Sequence, residues 1–356
     1  MSKAQPNPGK HHIIRERLGR GRWKEVYRAV VRGEWHDRAL ARFIEQPDAV
    51  ALFDEIKLLL KSAGKLENVA HLYNVFKGED GDIYLEEELL YRPLETLAPL
   101  KMVDEFLSIA RDLCNGLASL HQSNWVHRDL KLDNCGIDHF GTAKIFDLGS
   151  VTSEGGKVKG TTLSRAPELF AENATCTKAS DVWAMGAVLF ALRTGGNYPF
   201  VTSDEARTRP LDGEPRQRFD KMVQDRASDA KSESMLQDRI REEFPNGSSE
   251  LMSAMLRSDD AKRPTARECA EKWRILLRPW IPMIQPKDVN ETETEFQDIV
   301  GYLKAFVSGT TDMSSRQWER VATAIETLQS KLSSAKSEEL TELGRKVKEM
   351  RQSVTA

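Results

Sequence analysis

At 356 residues the chain is too long for one ordinary core and suits two lobes plus an appendage. Its 40% hydrophobic and 30% charged residues describe a soluble globular protein, and a net charge of -3 argues against a general nucleic-acid or membrane-surface binder. Four cysteines (Cys114, Cys135, Cys176 and Cys269) without a Cys-x-x-Cys pair, and no run of about eighteen uncharged apolar residues, argue against a zinc site, a disulfide framework or a membrane span and point to a reducing, cytoplasmic setting.

Residues 1–11 are polar, hold two prolines and lack the apolar stretch of a secretory signal, so they read as a disordered lead-in. The run Leu18-Gly19-Arg20-Gly21-Arg22-Trp23-Lys24-Glu25-Val26-Tyr27 follows, and the alternation at Val26, Arg28 and Val30 suits the second strand of a hairpin. Glycines without side chains let backbone N–H groups come close to phosphate oxygens, although a lone Gly-x-Gly is more often a plain turn. Ala39-Leu40-Ala41-Arg42-Phe43 is the next strand-like run, and no lysine occurs between Lys24 and Lys57. Residues 48–62 read as a helix, with Leu52, Phe53, Ile56, Leu59 and Leu60 on one face. Residues 71–76 and 83–85 look like a hairpin across Gly78-Glu79-Asp80-Gly81, with Glu86, Glu87 and Glu88 as the connector beyond it.

A long helix is expected over residues 102–122, where Phe106, Ile109, Leu113, Leu117 and Leu120 stack on one side. It leads to His127-Arg128-Asp129-Leu130-Lys131-Leu132-Asp133-Asn134, and thirteen residues after Asn134 comes Asp147-Leu148-Gly149. Phosphoryl transfer needs a carboxylate to orient the attacking hydroxyl and separate hard oxygen ligands to hold magnesium on the phosphates. Residues 150–162 have no apolar periodicity and contain Gly155, Gly156 and Gly160, which suits a mobile segment closed by Gly160-Thr161-Thr162 and Ala166-Pro167-Glu168. Residues 201–246 are charged, with Phe219, Met222, Met235 and Ile240 at roughly helical intervals. Pro282, Pro286 and Asp288 mark a boundary, and helical stretches follow over residues 293–307, 314–332 and 337–352. Leu340, Leu343, Val347 and Met350 have the 3-4-3 spacing of a coiled-coil seam. The tail therefore reads either as helices packed on the preceding lobe or as a self-association or regulatory module.

In order and spacing, Asp129, Asn134, Asp147-Leu148-Gly149 and Ala166-Pro167-Glu168 resemble the eukaryotic-type protein kinase family. The resemblance implies an α+β, two-lobed fold: a small mainly-β N-lobe over about residues 12–90, a large mainly-α C-lobe over about residues 91–282, and an α-helical C-terminal extension over residues 288–356. It implies ATP and Mg²⁺ as cofactors and a protein as substrate. Asp129 would orient the substrate hydroxyl, Lys131 neutralise the transferring phosphoryl group, and Asn134 and Asp147 hold metal. A lysine at 131, where tyrosine kinases usually carry alanine, resembles the serine/threonine class, as does Thr161 placed to contact Asp129 and Lys131. Arg128 marks the type whose activation segment is often ordered by a phosphate, and Thr152, Ser153, Thr161, Thr162 and Ser164 are hydroxyls open to autophosphorylation. Asp181 would anchor the catalytic-loop backbone, and Arg263 would pair with Glu168.

By the same resemblance, Leu18, Gly19, Gly21, Lys24 and Val26 belong to the glycine-rich loop over the nucleotide, yet Lys24 stands where the third glycine belongs. Arg42 falls where the third-strand lysine is expected and Leu40 where a small alanine is usual, while a one-residue slip puts Ala41 or Phe43 there. A missing third-strand lysine with a glycine-loop lysine resembles the With-No-lysine branch, whose pattern the run from Gly19 to Arg28 follows. Ser150 after Gly149 departs from that branch. Lys24, paired with Glu55 of the small-lobe helix, then supplies the ammonium from the neighbouring strand. Arg42 as its replacement is a weaker reading, because a guanidinium fork is no substitute for a compact ammonium. The rival from another class is a nucleotide-binding pseudokinase acting as a scaffold.

Overall fold

A computed structural model describes residues 6–20, 24–33, 37–43, 66–138, 141–210, 212–244, 247–277 and 345. Five antiparallel strands form the first lobe: β1 (His12–Arg20), β2 (Lys24–Val31), β3 (Arg38–Phe43), β4 (Leu72–Lys77) and β5 (Ile83–Glu88), in the order β1-β2-β3-β5-β4. β3 lies at the centre and is buried along nearly its whole length, so its side chains must satisfy two faces with period two. On one face Leu40 packs with Ala29 and Tyr84. On the other, Ala41 and Phe43 pack with Leu72, Val75 and Leu85, and Val26 lies against them.

This register corrects the expectation for Arg42. Lys24 stands directly opposite Phe43, and Val26 opposite Ala41, whereas Arg42 stands between Glu25 and Tyr84. Opposed residues share a face, so Phe43 and not Arg42 is on the Lys24 side, and Ala41 is the small residue beside Val26. The Arg42 guanidinium turns the other way, donating to Asp82 at 2.6 Å and lying 3.6 Å from Asp80. Residues expected as a disordered lead-in are also held in part: the Asn7 N–H donates to Asp80 at 2.8 Å, because carboxylates of the β4–β5 turn face it.

The larger lobe contributes α1 (Val103–Gln122), α2 (Lys178–Thr194), α3 (Ser203–Thr208), α4 (Gly213–Ala227), α5 (Ala230–Glu243), α6 (Ser248–Met255) and α7 (Ala266–Leu277), with short strands β6 (Arg92–Pro93), β7 (Trp125–Val126), β8 (Cys135–Ile137), β9 (Ala143–Ile145) and β10 (Thr152–Ser153). The apolar stripe expected of α1 is buried at Ile109, Leu113, Leu117 and Leu120. α2 starts at a capping box, in which Thr177 accepts from the Ser180 N–H at 3.1 Å, and stops at Gly195 in the left-handed region (φ 76°). The chain divides into two compact units, residues 1–101 with 110–272 and residues 102–109 with 273–356. Within the second, Phe106 and Trp273 meet edge to face with centroids 5.8 Å apart. Among the described residues no helix is long and apolar enough to cross a membrane. The helix expected over residues 48–62 with Glu55, the glycine at 21, and the extension over residues 288–356 (Arg345 excepted) lie outside the described residues.

The expected pair of Glu168 and Arg263 is present as a two-pronged contact, both N–H···O distances being 2.7 Å, with the arginine side chain wholly covered. The same guanidinium also donates to the carbonyls of Arg257 (2.7 Å) and Ala179 (3.1 Å). Arg263→Ala would strand a carboxylate and these carbonyls at once, so it is expected to cost about 3–5 kcal/mol, read as a lower urea midpoint at unchanged slope.

Candidate active site

The strand-turn-strand of β7 and β8 carries the catalytic motif, and a buried carboxylate fixes its backbone. Asp181, at the start of α2, accepts from the N–H groups of His127 (2.6 Å) and Arg128 (3.0 Å). This lets Arg128 hold a left-handed backbone (φ 68°), a conformation that costs free energy unless its surroundings enforce it. The Asp129 N–H lies 3.3 Å from Nδ1 of His127, and the ring's Nε2 lies 3.3 Å from the Phe146 carbonyl. One imidazole thus ties the Asp129 segment to the residue before Asp147.

Three groups surround the Asp129 carboxylate. Oδ1 accepts from the Thr161 N–H at 2.9 Å; near Oδ2 lie the Asn134 amide at 3.3 Å and the Lys131 ammonium at 3.4 Å. Thr161 reaches Asp129 through its backbone rather than its hydroxyl. The approach is close because residue 160 is glycine: a Cβ there would lie 2.3 Å from the Arg128 carbonyl, and φ is +84°. Arg128 itself donates to the carbonyls of Ser150 (2.5 Å) and Lys157 (3.2 Å), holding the segment after Asp-Leu-Gly.

Across the cleft, the Lys24 ammonium meets Asp147 Oδ1 at 2.5 Å. Burial alone would lower the lysine's pKa, but Asp147, Glu87 and Asp129 together raise it, so the group is a cation at neutral pH. Burial pushes the Asp147 acid up, and Lys24, with smaller contributions from His127 and Lys131, more than reverses this, leaving the carboxyl below its usual range. Asp147 also has a left-handed backbone (φ 63°). The Asn134 Nδ2 is committed to the Asp129 carbonyl at 2.7 Å, which leaves its Oδ1 as a hard oxygen, and the backbone N–H of Phe146 donates to the Asn134 carbonyl at 2.9 Å. Asn134 and Asp147 are therefore a two-oxygen set on adjacent segments, which suits Mg²⁺ completed by phosphate oxygens and water.

Of the other expected nucleotide contacts, Leu18 lies exposed on β1, Gly19 has open space around its Cα, and Val26 is half-buried on the Lys24 face. Arg42 is not brought to the cleft, as described above. One residue passed over in the sequence is Glu87, counted there as part of the connector. β5 continues through it, and it stands opposite Ala39, on the same sheet face as Leu85 and Ala41. Counting by twos from the apolar Leu85 finds it. Its acid is pushed up to about 7, chiefly by burial, with Lys24 pulling it down and Asp147 pushing it up. Beside the catalytic loop, a cavity of about 420 Å³ is lined by Lys131, Asp133, Leu163, Tyr198 and Arg209 among others.

Comparison with known proteins gives consistent results. The profile described as "Protein kinase domain" matches residues 13–273. Over 272 residues the chain is 28% identical to a calcium/calmodulin-dependent serine/threonine-protein kinase of Malus domestica, covering 72% of this chain and 58% of that protein. It is 25% identical over 271 residues to mitogen-activated protein kinase 13 of Homo sapiens, covering 70% and 72% respectively. The serine/threonine-protein kinase PrkC of Bacillus subtilis is 34% identical over 155 residues, which is 39% of this chain and 23% of PrkC. The chain thus spans between 23% and 58% of the length of PrkC and the Malus protein.

Proposed function

Since the chain belongs to the protein kinase family, we propose that it transfers the γ-phosphoryl group of ATP to a serine or threonine hydroxyl of a protein substrate. The observation that carries this reading is the Asp129 carboxylate, oriented by Thr161, Asn134 and Lys131 from three directions. A hydroxyl that donates to Asp129 is aligned for in-line attack, and the carboxylate takes up the proton as the new O–P bond forms. The Lys131 ammonium lies beside the same oxygen and offsets charge on the transferring group. Mg²⁺ held by Asn134 and Asp147 would neutralise the phosphate oxygens around the bond that breaks. Lys24 takes the place of the third-strand lysine, because the register puts Phe43 there and brings the Lys24 ammonium to Asp147. Glu55 is the expected partner of Lys24 from the helix over residues 48–62.

In this reading residues 12–282 are the catalytic domain and residues 288–356 a helical extension with a seam for self-association. The cavity beside Lys131 offers room for a polypeptide substrate, and four free, buried cysteines suit a reducing, cytoplasmic compartment. The test is transfer from radiolabelled ATP, with a generic basic protein and with no added substrate, so that autophosphorylation of the activation segment is also read. Label is expected on serine or threonine, and chelation of Mg²⁺ is expected to return it to background. Nucleotide binding without label on any protein, the chain itself included, would favour the pseudokinase scaffold instead.

A further inference from the structure

Glu86, Glu87 and Glu88 are consecutive, yet they differ in what answers their charge. Glu86 faces away from the cleft and meets His12 at 3.2 Å and Arg38 at 3.5 Å. Glu88 meets Lys144 at 2.6 Å. Glu87 points to the opposite face from Glu86, is 6% exposed, and its carboxylate makes no hydrogen bond or ion pair with another described side chain. A buried carboxylate is costly to keep charged unless a cation lies near it. The charged groups that act on it are Lys24 and Asp147.

The sheet register shows how Lys24 and Glu87 share one field. Lys24 occupies the row of Phe43 and Ile83 on β2; Glu87 occupies the row of Ala39 on β5. Both rows project to the same face, and the midpoint between the two residues is Ala41, whose methyl leaves the diagonal open to long side chains. Lys24 is now committed to Asp147 at 2.5 Å. A divalent cation on Asp147 would compete with that ion pair and repel the ammonium, leaving Lys24 to the phosphates, to Glu55 in the reading above, and to the Glu87 carboxylate on the same sheet face.

We propose that Glu87 is a positioning residue that holds the Lys24 ammonium toward the phosphates once Asp147 turns to the metal. The inference rests on the reading of Lys24 given above. It makes the end of β5 part of the phosphate-binding machinery, through lysine rather than through any contact of its own with nucleotide.

A double-mutant cycle on the full chain tests it, reading the affinity for Mg-ATP by equilibrium binding and the KM for ATP by phosphate transfer. Glu87→Gln, which keeps shape and removes charge, is expected to weaken ATP about ten-fold in the wild-type background and to have no further effect in Lys24→Met, while Glu87→Asp restores part of the loss. An equal loss in both backgrounds would mean that Glu87 only supports the fold and would overturn the proposal, as would unchanged affinity in Glu87→Gln. If Lys24→Met weakens ATP but Glu87→Gln does not, this inference fails alone. If Lys24→Met has no effect, the Lys24 reading fails and takes this one with it. Glu87→Met, of similar length and apolar, repeats the cycle should the glutamine variant melt early.

Discussion

Replacing Lys24 by methionine is expected to lower kcat/KM for ATP about 10²–10³-fold, while Arg42→Met keeps most of the activity. The two residues lie eighteen positions apart in sequence and both are cations on neighbouring strands, but the sheet separates them. Lys24 and Phe43 oppose each other on the cleft face, and the ammonium reaches Asp147 at 2.5 Å. Arg42 is on the other face, with its guanidinium on Asp82 and Asp80. A preorganised cation aimed at phosphate oxygens in a partly dry cleft contributes several times what it would in water, since nothing has to reorganise as charge moves. Methionine keeps the length and the apolar stem of lysine, so the loss measures charge rather than packing. Arg42→Met is expected to show instead as lower stability, because it leaves Asp80 and Asp82 without their cation. A steady-state assay of the three proteins, with thermal melts alongside, checks both halves.

Asp129→Asn is expected to reduce kcat by about 10²–10⁴-fold with little change in the KM for ATP. The carboxylate has two oxygens in use: one accepts the Thr161 N–H, and the other faces the Asn134 amide and the Lys131 ammonium. An asparagine can keep one acceptor. Its amide nitrogen then cannot accept the substrate's proton, and it meets two donors where an acceptor is required. Asp129 is not placed among the nucleotide contacts, so ATP affinity should hold while turnover falls. The backbone N–H contacts that Asp181 receives are untouched by the change, and the melting temperature should stay within a few degrees of wild type.

Much of this site could be read from sequence because its parts are local. From Asp129 to Asn134 is a single turn, and Asp-Leu-Gly follows across one short hairpin of β8 and β9, so spacing along the chain nearly fixes spacing in space. The anchor at Asp181 and the pair of Glu168 with Arg263 likewise follow residue types that have few other uses when buried. Strand parity was the part that could not be read. In Ala39-Leu40-Ala41-Arg42-Phe43 both faces are covered, so apolar residues run without alternation and a one-residue slip changes nothing visible. Pairing with β2 and β5 decides the register, and that is a long-range property. Glu87 was missed for a related reason: three glutamates in a row look like solvated connector, and only continuation of β5 gives each its own side. The role of Thr161 was anticipated but its chemistry was not, since a backbone N–H leaves no mark in a sequence motif.

The account depends most on where the Lys24 ammonium goes when nucleotide is bound, and a crystal structure with Mg²⁺ and a non-hydrolysable ATP analogue measures that directly. The expected result has Nζ of Lys24 within about 3 Å of a phosphate oxygen, with Asp147 turned to the metal. A complex in which Nζ lies in bulk water, with Arg42 or no cation on the phosphates, would contradict it.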